Sequence, residues 1–192
     1  MEENQPNEQG LPIPKIFLDS DSGAPLQRCI DCDYKVFEGD RYYMIEKVVK
    51  RYPKLDTTEV LFEYAICQNC YEKMKDAMSE ESMANLSSYM MQHTDFEGLS
   101  QRIEEQPDNP EHWLSNCLIK GTPIKEMNEY QMGACFKGNR LVTDFIPPFM
   151  IGELAMDEMN ELLSQETKDE MDDFMGDHFG IPPELRKDLI LI

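Results

Sequence analysis

The spacing of apolar and polar positions changes several times along the chain, and each change predicts an element. From Arg41 to Tyr52 aromatic and β-branched residues predominate, which predicts a strand. The polar stretch from Pro53 to Thr58 predicts a connecting loop, and Val60 to Ile66 a second strand, so the two should form a hairpin. Beyond Cys67 the period lengthens to that of a helix: Tyr71, Met74, Ala77 and Met78 fall on one face. Ser79 breaks this pattern and predicts the N-cap of a second helix carrying Met83, Leu86, Met90 and Met91. Thr94-Asp-Phe-Glu97 reads as a capping box for a third helix reaching about Glu105. Residues 1–24 are polar and broken by Pro6, Pro12 and Pro14, which predicts an irregular arm that Ile13, Ile16, Phe17 and Leu18 could pin to the body. Behind Pro182 and Pro183, the leucines and isoleucines from Leu185 onward predict a short docking helix.

The pattern then recurs. At a shift of 88 residues Cys29 falls on Cys117, Val36 on Ile124, Tyr42 on Tyr130 and Met44 on Met132. At a shift of 85, Leu61 falls on Ile146, Tyr64 on Phe149, Ile66 on Ile151, Met74 on Met159, Ser79 on Ser164, Ser82 on Thr167 and His93 on His178. An ordered set of apolar and capping positions persisting through one small gap in a hairpin points to a duplicated fold. The expected organisation is an arm at 1–24, a first unit at 25–106, a linker at 107–112 and a second unit at 113–192.

Chemistry enters with the cysteines. Cys29-Ile-Asp-Cys32 and Cys67-Gln-Asn-Cys70 frame the first hairpin, and two such pairs in one compact segment are a strong signature of a structural zinc ion held by four thiolates. Knuckle, hairpin, then a helix bearing the second pair resembles the treble-clef class of zinc fingers, as in LIM-type and nuclear-receptor-type modules. The resemblance covers Cys29 to about Met78. Taken with the repeat, it implies an α+β fold of two tandem treble-clef-like units, with Cys29, Cys32, Cys67 and Cys70 as ligands of one Zn2+ in the first. In the second unit Lys120, Gly152 and Ala155 replace three of the four ligands and only Cys117 remains. That unit should keep the shape without metal, its site filled by Pro147, Pro148, Phe149 and Met150. Cys135 has no counterpart and reads as a buried strand cysteine.

Net charge changes the picture of partners. With 38 acidic residues against 18 basic ones the chain carries a formal charge of −20, which repels phosphate backbones at long range. One basic cluster interrupts this: Lys47, Lys50, Arg51 and Lys54 on the first hairpin. It is either a charged exposed hairpin or a contact for RNA, DNA or an acidic protein segment. Neither a secretory signal nor an apolar run of membrane-spanning length is visible, so a reducing cytoplasm fits the free thiols. Four-thiolate closure leaves no open metal position, and no catalytic triad, P-loop or dinucleotide fingerprint is found. The expectation is a non-catalytic, zinc-stabilised acidic protein that binds other proteins, with nucleic-acid binding through the basic hairpin as the alternative.

Overall fold

The computed structural model describes residues 10–144 and 146–180. The start of the arm and the helix expected behind Pro183 lie outside the described residues. The fold is α+β. Strands β1 (Tyr42–Tyr52) and β2 (Thr57–Cys67) form the expected hairpin, followed by α1 (Gln68–Ala77), α2 (Glu80–His93), α3 (Phe96–Glu105) and α4 (Pro110–Trp113). Then come β3 (Glu129–Lys137), β4 (Arg140–Val142), β5 (Phe149–Gly152), α5 (Glu153–Glu161) and α6 (Gln165–Phe179).

The caps follow local chemistry. Ser79 Oγ accepts from the Ser82 amide at 3.1 Å and starts α2 as expected. The third helix begins one residue later than the capping box implies. Asp95 Oδ1 accepts from the Gly98 amide at 2.9 Å, while the Thr94 amide closes α2 on Met90 O. A carboxylate at the positive end of a helix dipole outcompetes a hydroxyl for the position. Pro110–Trp113 forms α4, whose buried Trp113 donates its indole N–H to Gln106 O at 2.7 Å.

All five strands join one antiparallel sheet, because β1 pairs with β3 as well as with β2, and β3 in turn pairs with β4 and β5. Alternation along the strands gives the sheet two apolar faces. On one, Tyr43 stacks on Phe136 at 5.6 Å between ring centres and Phe17 of the arm meets Phe136 edge-on at 5.4 Å. Leu11 O accepts from Leu141 N of β4 and Ile13 N donates to Asn139 O in the turn before it, so the described part of the arm covers that edge of the sheet. On the other face, Phe174 and Phe179 of α6 pack against Tyr64 and Phe62 of β2. A bulge between Val48 and Val49 leaves Leu61 41% exposed.

Backbone contacts recur between the two halves. Cys29 N donates to Tyr34 O, and Cys117 N to Thr122 O, both at 2.8 Å. Asp33 N donates to Cys29 O and Gly121 N to Cys117 O, and both Asp33 and Gly121 adopt positive φ, 58° and 66°. Ile30 N donates to Ala65 O, and Leu118 N to Met150 O. The strands correct the correspondence read from sequence. Tyr43 sits opposite Cys67 and Tyr130 opposite Gly152, so the match within β1 and β3 runs at 87 residues, Tyr43 to Tyr130 and Ile45 to Met132. A shift of 88 there would place Tyr42 and Met44 on the wrong face, because one residue of slip turns every strand side chain over. The slip begins before the hairpin, near Arg41, rather than wholly within it.

Across the β1–β3 pairing Glu46 lies opposite Gly133, 87 residues later in the chain. The helices meet in the same reciprocal way. Ser79 N donates to Thr167 Oγ1 at 3.0 Å, Ser164 N donates to Ser82 Oγ at 2.8 Å, and the Ser79 and Ser164 hydroxyls lie 2.9 Å apart. Contacts of the kind i to j and j to i are those of an isologous interface. Ser82 and Thr167 are fully buried. Each Ser82→Ala and Thr167→Ala is therefore expected to cost about 1 kcal/mol by removing the acceptor of the Ser164 or Ser79 amide across the contact. The double variant should depart from additivity by at least ~0.5 kcal/mol, and urea denaturation of all four proteins is the check; strict additivity would mean that the two hydroxyls do not share a network.

Candidate metal centre

The site is built where three local structures end. The turn after Cys29 is closed by the left-handed Asp33, which Arg28 holds through its backbone oxygen at 3.2 Å and its carboxylate at 2.6 Å. Cys67 is the last residue of β2 and the N-cap of α1, and Cys70 lies in the first turn of that helix. The free amides and positive dipole end of α1 favour negative sulfur there.

This convergence gathers four thiols. The Sγ atoms of Cys29, Cys32, Cys67 and Cys70 all lie within 4.8 Å of one another, and none is in a disulfide. Cys29, Cys67 and Cys70 are buried and Cys32 is exposed. Cys32 Sγ and Cys67 Sγ are 3.7 Å apart, far beyond a disulfide bond length. It is the edge, about 3.8 Å, of a tetrahedron with metal–sulfur bonds of about 2.3 Å. The residues therefore fit a tetrahedral, thiophilic divalent ion. The Cys67 amide donates to Cys29 Sγ at 3.3 Å, as suits a sulfur carrying charge. Burial pushes the Cys29 and Cys70 thiols up; at Cys67 burial acts in the same sense, but hydrogen bonds from the Cys70 amide and the neighbouring thiols outweigh it and bring the group down. Among the described residues this is the one group of three or more Cys, His or acidic side chains arranged to hold a metal.

The corresponding place in the other half keeps one of these contacts: the Gly152 amide donates to Cys117 Sγ at 3.4 Å. The residues at the other three positions do other things. Lys120 forms an ion pair with Glu158 at 2.6 Å, and Glu158 also accepts from Tyr89 of α2 at 2.6 Å. Those two partners, Lys120 first, hold the Glu158 carboxyl below its ordinary range. A cavity of only 50 Å³ remains, lined by Cys117, Met127, Gly152 and Ala155 among others. Pro147, Pro148, Phe149 and Met150, expected to fill it, do not line it. Met127 does, its sulfur lying where a Cβ on Gly152 would be, while the Phe149 ring lies on Gly133 in the sheet.

The basic cluster is taken apart by folding. Lys47 is 3% exposed, pairs with Glu63 and donates to Leu18 O. Arg51 Nη1 donates to Ile124 O at 2.8 Å and Met127 O at 3.1 Å. Lys50 and Lys54 are left at the surface side of the hairpin. Alternation along β1 puts Lys47 and Lys50 on opposite faces, which a residue count does not convey. No helix among the described residues is long and apolar enough to cross a membrane.

The sequence reading missed a buried polar cluster. Glu46 is fully buried, and its Oε2 accepts from Tyr64 Oη at 2.7 Å and from Gln131 Nε2 at 2.9 Å. Glu46 Oε1 and Gln131 Oε1 find no partner among the described residues. Burial, only partly offset by the Tyr64 and Gln131 hydrogen bonds, pushes the carboxyl up to about 7. A lone acid inside the strand Tyr42–Tyr52 was the available signal. Comparison with protein-family models, with curated proteins and with solved structures found no match.

Proposed function

We propose that this chain is a non-catalytic adaptor that binds other proteins, stabilised by one structural Zn2+ on Cys29, Cys32, Cys67 and Cys70. The closed set of four sulfurs with a 3.7 Å edge carries the metal assignment. Four sulfur ligands leave no position at which water or substrate could bind the ion, so its contribution is to folding. The architecture that goes with this reading is a duplicated treble-clef-like unit: the first copy metal-bearing, the second holding its shape through Met127, the Lys120–Glu158 pair and a single retained cysteine. The repeated knuckle hydrogen bonds and the reciprocal serine contacts support the duplication.

The nucleic-acid alternative has less to rest on. Two of its four basic side chains, Lys47 and Arg51, are engaged in internal contacts, and the net charge of −20 opposes a polyanion. Elemental analysis of chain purified without chelator should find one zinc per chain, with the four named thiols protected from alkylation until a chelator is added. A metal-free protein with four freely reactive thiols under the same conditions would overturn the assignment. Affinity capture from native lysate with the zinc-loaded chain tests the adaptor role separately: an elution without any partner protein counts against it and leaves the metal assignment standing.

A further inference from the structure

The contact of α2 with α5 and that of α1 with α6 differ. At one, Tyr89 of α2, Glu158 of α5 and Lys120 join in the polar lock described above. The positions 85 or 88 residues earlier or later are Phe174, Lys73 and Cys32, which cannot make it. There a cleft of about 420 Å³ lies between α1 and α6 among the described residues, beside the cysteine site. This lies within the roughly 300–1,000 Å³ typical of ligand-sized sites.

Its chemistry is specific. Met74, Met78, Met171 and Phe174 line it, all but Met171 partly accessible. Methionine side chains adapt to the shape of an apolar guest. The mouth is acidic: Asp31, Glu170, Asp173 and Asp177 line it against Lys73 as the one full cation, and those four carboxylates are exposed. His178 contributes from α6, its Nε2 3.8 Å from Asp31 Oδ1.

We propose that this cleft is the adaptor's docking surface, and that its occupant is a basic, amphipathic segment of a partner protein. Leucine-like or aromatic side chains enter among the methionines, and lysine or arginine side chains lie over the acidic rim. The apolar lining sets the contact, and the rim charge selects the sign of the partner and speeds its arrival. The proposal rests on the adaptor reading and names its surface.

The test uses the full zinc-loaded chain, its zinc content measured in every sample, and a short fluorescein-labelled helical peptide of leucine and lysine. Fluorescence anisotropy should show saturable binding that weakens with added salt. Binding should fall about tenfold or more in Asp173→Lys/Asp177→Lys, and also when the peptide's leucines become serines. The control Glu104→Lys/Asp108→Lys makes the same charge change elsewhere and should retain most of the affinity. Equal loss in both double variants, or none in the rim variant, overturns the proposal. So does binding that appears only after residues 181–192 are deleted, which would make the chain's own end the occupant. Absence of peptide binding by a chain holding one zinc overturns the cleft alone, whereas a zinc-free chain overturns the metal assignment.

Discussion

Removing the metal is expected to unfold the front half of the sheet and release α6 from it. Structural zinc contributes about 10–16 kcal/mol in zinc-finger peptides at neutral pH. The whole margin between folded and unfolded states of a domain is about 5–15 kcal/mol. An ion held at the proposed site would thus contribute about as much as the whole stability. The three buried thiols make matters worse once it is gone, since they lose a common partner inside the protein. Cys67→Ser should act like chelation, because Cys67 joins β2 to α1 and is fully buried. Cys135→Ala, also in a strand but outside the cluster, should cost only about 1 kcal/mol. Thermal melts by circular dichroism, with and without chelator, separate these cases. A melt unchanged after complete, independently verified loss of zinc would show that the four sulfurs do not carry the fold. Acid should act as a mild chelator, since each thiolate must be free of its proton to hold the ion.

The second large effect concerns Glu46. Its carboxyl titrates at about 7 in the folded chain, against about 4.3 in an unfolded one. Between these values the folded state holds a proton that the unfolded state has given up, so stability falls as pH rises. The stabilising share is complete below pH ~4 and is lost as pH climbs through about 7, a difference of about 3–4 kcal/mol. Tyr64 and Tyr71 face the same cluster, but burial pushes Tyr64 far up and Tyr71 to about 12, and both stay neutral throughout. Glu46→Gln keeps the size and the acceptor for Tyr64 and removes the charge. It should be more stable than the parent by about 3 kcal/mol at pH 8, by about 1 kcal/mol at pH 5, and nearly equal to it below pH ~4. Denaturant titrations from pH 6 to 8.5, where the thiolate site is least disturbed, should show a slope in the parent that the variant lacks. Parallel curves for the two proteins would mean that the Glu46 carboxyl is not raised in the folded chain.

The contrast between these two sites shows what could be read from the chain. The cysteines are legible because a metal imposes its own spacing on local turns, and the first hairpin because strand and turn chemistry are also local. The joining of β1 to β3 is not legible, since no local preference records which distant edge a strand will meet. The strand correspondence at 88 residues fails for a related reason. Tyr42 and Tyr43 are both tyrosines, and only the pairing Tyr43–Cys67 tells which one faces inward. Lys47 looks like surface charge until Glu63 and the Leu18 carbonyl are placed beside it. Glu46 looks like the polar half of an alternating strand, but both faces of this sheet are covered. Met127 is invisible as a site filler because it lies far in sequence from Gly152, whose missing Cβ it replaces.

The position of β1 between β2 and β3 has a consequence for synthesis. When the front half leaves the ribosome, one edge of β1 has no neighbour, Glu46 lacks Gln131, and the Phe62–Tyr64 surface lacks α6. All three are supplied by sequence made later, the last of them only when translation reaches about Phe179. The nascent chain must therefore carry an open strand edge and bare aromatic rings until nearly the whole described polypeptide exists. Folding is late and long-range, and the unfinished front half is the stage most exposed to misassociation.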